Sequence, residues 1–159
     1  MAVPDQVQPF NIFWTQINRT VCCEKVLIKK RWGDIMSKFK TYKKICLMLP
    51  ESEESYPFGP ENCVIKVSGK IFAILDEIEI SLKCNPDLAL DYREMYKGVK
   101  PGYHLNKKHW NTVVFESDVK RKAIVEMIIH SYKCVVLKMP KAVREMLLTK
   151  LTDQMEFLK

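Results

Sequence analysis

Between Cys63 and Lys83 two short apolar runs and one alternating run are set around two short turns, and no other stretch constrains the fold as strongly. Cys63–Val67 and Ile71–Leu75 flank Ser68-Gly69, a tight hairpin signal. Asp76-Glu77 supplies the next turn, after which Ile78, Ile80 and Leu82 alternate with Glu79, Ser81 and Lys83. A period of two is that of a strand with one buried face, so the segment predicts a three-stranded antiparallel meander. Helical spacing around it predicts the cover. Phe39, Tyr42, Ile45, Cys46 and Leu49 line one side of a helix over Ser37–Leu49, with Lys38, Lys40, Lys43 and Lys44 on the rest and Pro50 as its stop. Asn85-Pro86-Asp87 reads as a helix start: an Asn cap, a proline at the first helical position and an acid in the first turn. That helix carries Leu88, Leu90, Tyr92 and Met95. Ser117-Asp118 is expected to cap a third helix with the face Ile124, Met127, Ile128, Ser131 and Val135. Pro140 opens a last one with Val143, Leu147, Leu151 and Leu158 on one side. A chain of 159 residues, 47% apolar, is long enough for one sizeable core. The expected class is α+β, a small antiparallel β-sheet packed against helices.

Charge singles out a second region. The net charge is +7, which favours a polyanionic partner, yet residues 50–96 carry ten acids against four bases. Residues 97–115, KGVKPGYHLNKKHWNTVVF, carry Lys97, Lys100, Lys107 and Lys108 and no acid. Tyr103, His104, Asn106, His109 and Trp110 lie among those lysines, and an apolar strand, Asn111–Phe115, follows. Aromatics interleaved with lysines offer stacking faces beside phosphate partners. His104 and Asn106 can hydrogen-bond a phosphate or a base edge. Lys66 and Lys70 straddle the Ser68-Gly69 turn and would charge a second projection. The structural alternative is a loop whose Tyr103 and Trp110 turn inward, with Asn106 capping loop backbone and the lysines left in water.

The same residues carry a family resemblance. PGYHLNKKHWNTV, preceded by ISLKCNPDLALDYREMYKGVK, together with YPFGP, KVSGKIFAIL and HSYKCVVLKMPKAVR, closely resembles the MmcQ/YjbR family of small bacterial proteins over about Met36–Leu151. The resemblance implies a frataxin-like (CyaY-like) domain over residues 36–159 and a proposed double-wing DNA-binding role. A frataxin-type iron site would need an acidic ridge. Here the first helix is lysine-rich and the acids are split between Glu51–Glu54 and Asp76–Glu79.

Residues 1–35 lie outside the resemblance and are read as an N-terminal extension, non-native or disordered. Trp32-Gly33-Asp34 implies a purine-rich coding run just before Met36, like a ribosome-binding site, so the natural start is expected at Met36. The six cysteines include no CxxC pair, and four sit in apolar runs, which suits a reduced cytoplasmic chain. No stretch reads as a secretory signal or a membrane span.

No P-loop, GxSxG, HExxH or GxGxxG occurs, and no catalytic residue, cofactor or metal site is expected. His104 and His109 lack a nearby acid or cysteine as a third ligand, and adjacent ammonium groups oppose a cation. Cys84, beside Lys83, is either an activated thiol or a plain buried cysteine. The first expectation is a non-catalytic DNA-binding protein, of regulatory type, using Lys66, Lys70, Lys97, Lys100, Tyr103, His104, Asn106, Lys107, Lys108, His109 and Trp110. The alternatives are a module that docks an acidic protein, and a small-ligand binder or enzyme using a His104–Trp110 pocket.

Overall fold

The computed structural model describes residues 24–157. The chain divides into two units, Met1–Asp34 and Ile35–Lys159. Helix α1 (Glu24–Met48) begins in the first unit, so it starts upstream of the Ser37 expected from periodicity. The expectations for residues 1–23 and for Leu158 fall outside the described residues. Everything below concerns the second unit.

The predicted meander forms as β2 (Cys63–Val67), β3 (Lys70–Leu75) and β4 (Glu79–Lys83). Ser68 and Gly69 sit at φ 47° and 74°, the left-handed pair that a two-residue type I′ turn requires. At the next turn, Asp76 Oδ1 accepts the backbone N–H groups of Ile78 (2.8 Å) and Glu79 (2.9 Å). The predicted strand Asn111–Phe115 forms as β6 (Trp110–Val114). The sheet adds two strands that were not predicted, β1 (Ser52–Ser55) and β5 (Val99–Pro101), in the order β1-β2-β3-β4-β6-β5 with every pair antiparallel.

The apolar side of the meander is buried as alternation demands: Ile65, Val67, Ala73, Leu75, Ile80 and Leu82 are 2% exposed or less. Against them pack Tyr42 and Cys46 of α1 and Leu49 just after it, with Phe39 and Ile45 at the margin. All five residues of the predicted third-helix face are buried on α3 (Arg121–Val136), as are Tyr132 and Val136. Leu147 and Leu151 complete the core from α4 (Lys141–Phe157). Tyr132 donates its hydroxyl to the Pro50 carbonyl (2.9 Å) and meets the Phe72 ring edge-on at 5.5 Å, so its polar tip is satisfied inside the core.

The start of α2 (Pro86–Met95) follows its sequence signal: Asn85 Oδ1 accepts the Asp87 N–H at 3.0 Å and Pro86 occupies the first turn. The start of α3 does not. Its N-cap is Lys120, which makes no side-chain cap bond, and Ser117 and Asp118 have other work. Asp118 accepts the backbone N–H groups of Lys97 (2.9 Å) and Gly98 (2.8 Å), and these bonds hold its carboxyl below the usual range. A Cβ on Gly98 would lie 2.1 Å from Ser117 Oγ, so the junction closes only around a glycine. The acidic loop after Pro50 also differs from expectation. Residues 52–55 form the edge strand β1, while Glu51 pairs with Lys150 (2.6 Å) and Glu54 with Lys43. A charged sequence suits an edge strand that must resist pairing with another chain. No described helix is long and apolar enough to cross a membrane.

Candidate functional site

Antiparallel order brings three segments to one end of the sheet. Val67 pairs with Lys70, Lys83 with Trp110, and Pro101 with Asn111. The Ser68-Gly69 turn, the end of β4 and the loop 102–109 therefore leave the sheet together. The opposite end holds the Asp76 turn and the Gly98–Asp118 junction.

The sheet is split at this end. Pairing of β3 with β4 stops at Ala73↔Leu82, whereas β4 continues along β6 to Lys83↔Trp110. The Ser131 hydroxyl of α3 fills the break: it accepts the Lys83 N–H (2.7 Å) and donates to the Phe72 carbonyl (2.5 Å). A β-bulge at the Ile65/Lys66 step lies beside it on β2–β3. Beyond the break lies a cleft of about 310 Å³ lined by Lys70, Lys83, Cys84, Asn106, His109, Trp110, Cys134, Val135 and Lys138.

Of the residues singled out from sequence, Lys70, Asn106, His109 and Trp110 thus meet in one cleft. Tyr103, His104, Lys107 and Lys108 stand exposed on the same loop, Tyr103 at 77%. The Tyr103 and His104 rings lie 3.9 Å apart, and His104 takes a left-handed φ of 53°. Lys66 is half-buried one rung from the hairpin turn and does not line the cleft. Lys100 sits mid-strand on β5, opposite Thr112. Lys97 lies at the far end of the sheet, beside Asp118, and is not brought to the others.

Two residues follow the structural alternative. Trp110 is only 9% exposed, and the Lys83 ammonium sits 5.4 Å from its ring centroid, so it walls the cleft and presents no free stacking face. Asn106 Oδ1 accepts the Lys108 N–H (3.0 Å), and its own carbonyl accepts the His109 N–H (3.0 Å). The loop is anchored further by Arg93 of α2, which had no signal in the sequence. Its Nε donates to Asn111 Oδ1 (2.7 Å), and its guanidinium also reaches the carbonyls of Lys107 and Trp110. Asn111 is buried and passes the tie to the Ala89 carbonyl (3.1 Å). Gly102 lets the loop close, since a Cβ there would sit 2.9 Å from that of Trp110.

The cleft is electropositive, with three lysines and no carboxylate in its lining. Burial lowers the pKa of Lys83, and the neighbouring Lys138 and Lys70 lower it further. Burial pushes the Cys84 thiol up to about 11, so it is protonated at neutral pH, and the activated-thiol alternative loses its basis. Cys134 is likewise raised by burial. Its Sγ lies 3.3 Å from His130 Nε2, which also accepts the Asn85 N–H at 3.3 Å. An Nε2 that accepts a backbone N–H belongs to a neutral ring, and burial with Lys133 nearby lowers the His130 pKa accordingly.

The YjbR family model matches residues 47–134, from the end of α1 into α3 and across both basic projections. The chain belongs to the YjbR family. The uncharacterised YbdF protein of Escherichia coli O157:H7 is 38% identical over 107 residues, which are 65% of this chain and 88% of that protein. The uncharacterised YjbR protein of E. coli K12 is 33% identical over 106 residues, 64% of this chain and 90% of that protein. Among solved structures, a Deinococcus radiodurans protein with a DUF419 domain superposes with a TM-score of 0.62 at 34% identity, covering 67% of this chain and 84% of that one. A Pseudomonas syringae protein gives 0.52 at 25% identity, covering 58% and 93%. The YjbR match ends at Cys134, so Lys138, the third cleft lysine, lies beyond it.

Proposed function

We propose that the protein is a non-catalytic, cytoplasmic DNA-binding protein of regulatory type. The hairpin turn around Ser68-Gly69 and the loop 102–109 act as two wings on the phosphate backbone. One observation carries the proposal: both projections leave the same end of one sheet, the hairpin with the exposed Lys70 and the larger loop with the exposed Lys107, Lys108 and Tyr103 ring. Where the ladder is continuous, the middle of the β2–β3 hairpin and the middle of the β6–β5 hairpin are three strand spacings apart, about 14 Å. That separation is close to the ~12 Å width of the major groove of B-DNA. Two wings so spaced can contact the backbones on either side of a groove. With contacts from Lys70, Lys107 and Lys108, affinity is chiefly electrostatic and carries little sequence preference.

Fluorescence anisotropy of labelled duplex DNA, titrated with salt, tests this. Three phosphate contacts give a slope of log affinity against log salt of about −3, at roughly −0.9 per contact. A Lys107→Glu/Lys108→Glu variant loses about two-thirds of that slope. Absence of binding at low salt, or an unchanged slope in the variant, refutes the two-wing reading. Nuclease-resistant co-purification of one acidic protein would then favour a protein-docking role for the loop.

A further inference from the structure

We propose that the cleft between Lys70, Lys83 and Lys138 is a receptor site for a phosphomonoester, either a free small phosphate ester or the terminal phosphate of a nucleic-acid strand. This inference does not depend on the wings binding duplex DNA: Lys70 is shared with the hairpin wing, but Lys83 and Lys138 belong to neither wing.

Three ammonium groups from three different elements line one cavity: the start of β3, the end of β4 and the segment after α3. None of the three forms an ion pair with a carboxylate among the described residues. Four lysines elsewhere on this unit, Lys38, Lys43, Lys141 and Lys150, do pair with acids. Lys38 reaches Glu116 at 2.5 Å and Lys150 reaches Glu51 at 2.6 Å. Half-buried Lys83 instead has the Trp110 ring as its neighbour, while its desolvation first and then repulsion from Lys138 and Lys70 oppose its charge. A bound anion removes that penalty, since it partners all three ammonium groups together. The Asn106 amide nitrogen stays available, because only its oxygen is taken by the loop, and His109 adds a ring nitrogen at the same wall.

Size and charge narrow the ligand class. At about 310 Å³ the cleft is at the small end of ligand sites, suited to a phosphoryl head group and a modest substituent. A phosphomonoester near neutral pH carries up to two charges and three terminal oxygens, which three ammonium groups can match. A diester within a strand carries one charge and two terminal oxygens, and its chain must continue in both directions. The cleft is closed on one side by Val135 and Cys134 of α3, which favours a chain end.

The test is calorimetric titration of the full chain with inorganic phosphate, against chloride at matched ionic strength. Lys83→Met and Lys138→Met should each weaken phosphate binding about tenfold or more, the usual scale for one hydrogen bond to a charged group. Met preserves the apolar stem at the half-buried position, and the exposed Lys138 keeps the test valid if Lys83→Met fails to fold. The Lys107→Glu/Lys108→Glu variant should keep phosphate binding within about twofold while losing about two-thirds of the salt slope of duplex binding, which separates the two readings. A 5′-phosphorylated oligonucleotide that outcompetes its 5′-hydroxyl twin assigns a strand end as the source. Equal competition by the two, with phosphate still bound, assigns a free ester. No phosphate-specific heat up to millimolar concentration overturns the site, as does wild-type phosphate affinity in both Met variants.

Discussion

Ser131→Ala should be among the more costly single-atom deletions in this protein. The residue is fully buried, and its hydroxyl completes the rung that β3 and β4 do not make for themselves. Removing it leaves the Phe72 carbonyl unpaired in the interior and the part-buried Lys83 N–H unpaired beside the cleft. An orphaned buried backbone group costs about 1–3 kcal/mol, so two cost about 2–4 kcal/mol if partial relaxation is allowed. The lost oxygen leaves too little space for a cavity term to matter. Urea unfolding followed by circular dichroism should show a lower midpoint with an unchanged m-value. Thr149→Ala provides the comparison: its hydroxyl bonds the Glu145 carbonyl on the exposed face of α4, and its loss should change stability by less than about 0.5 kcal/mol. A Ser131→Ala cost as small as that would refute the wedge, and with it the explanation of why the sheet opens into a cleft at this end.

Tyr103→Ala should leave stability within about 0.5 kcal/mol, since the ring is 77% exposed, yet weaken binding to a single-stranded oligonucleotide by about 1–3 kcal/mol. Parallel melts and anisotropy titrations check this, and an unchanged affinity would remove Tyr103 as a stacking platform. His130 predicts a pH dependence. Its folded pKa is depressed below the ordinary 6.5 by burial first and Lys133 second, so below that value the unfolded chain binds the proton more readily. Stability should be constant in this contribution above about pH 6.5 and fall as pH drops toward the folded pKa. His130→Gln should flatten that part of the pH profile measured by thermal melting; an identical slope in the variant would show that His130 is not its source.

The parts of the fold legible in the sequence are those where one local rule acts alone. Alternation in Ile78–Lys83 gives β4, the Ser68-Gly69 pair gives its I′ turn, and Asn85-Pro86 gives the start of α2. The strands that escaped reading are edge strands with no alternation to detect. β1 is Ser-Glu-Glu-Ser, stabilised by pairing with β2 alone, and β5 is three residues ending in a proline. Ser117-Asp118 has the form of a helix cap, but a long-range contact outcompetes the local one: Asp118 takes the N–H groups of Lys97 and Gly98, about twenty residues earlier. The basic loop was visible as a run of charge. Its convergence with Lys83 and Lys138 was not, because those two are set beside it only by strand register and by the packing of α3 on the sheet. Trp110 shows the same limit, since an aromatic among lysines reads identically whether it faces solvent or lies under an ammonium group.

The central claim is that one end of the sheet, and not the other, meets nucleic acid. Amide chemical-shift mapping of the isotope-labelled chain during titration with duplex DNA tests it most directly. The account predicts perturbations concentrated at residues 66–71 and 102–109, with little change around the Asp76 turn and the Gly98–Asp118 junction. Perturbations centred on that opposite end, or spread evenly over α1 and α4, would contradict it.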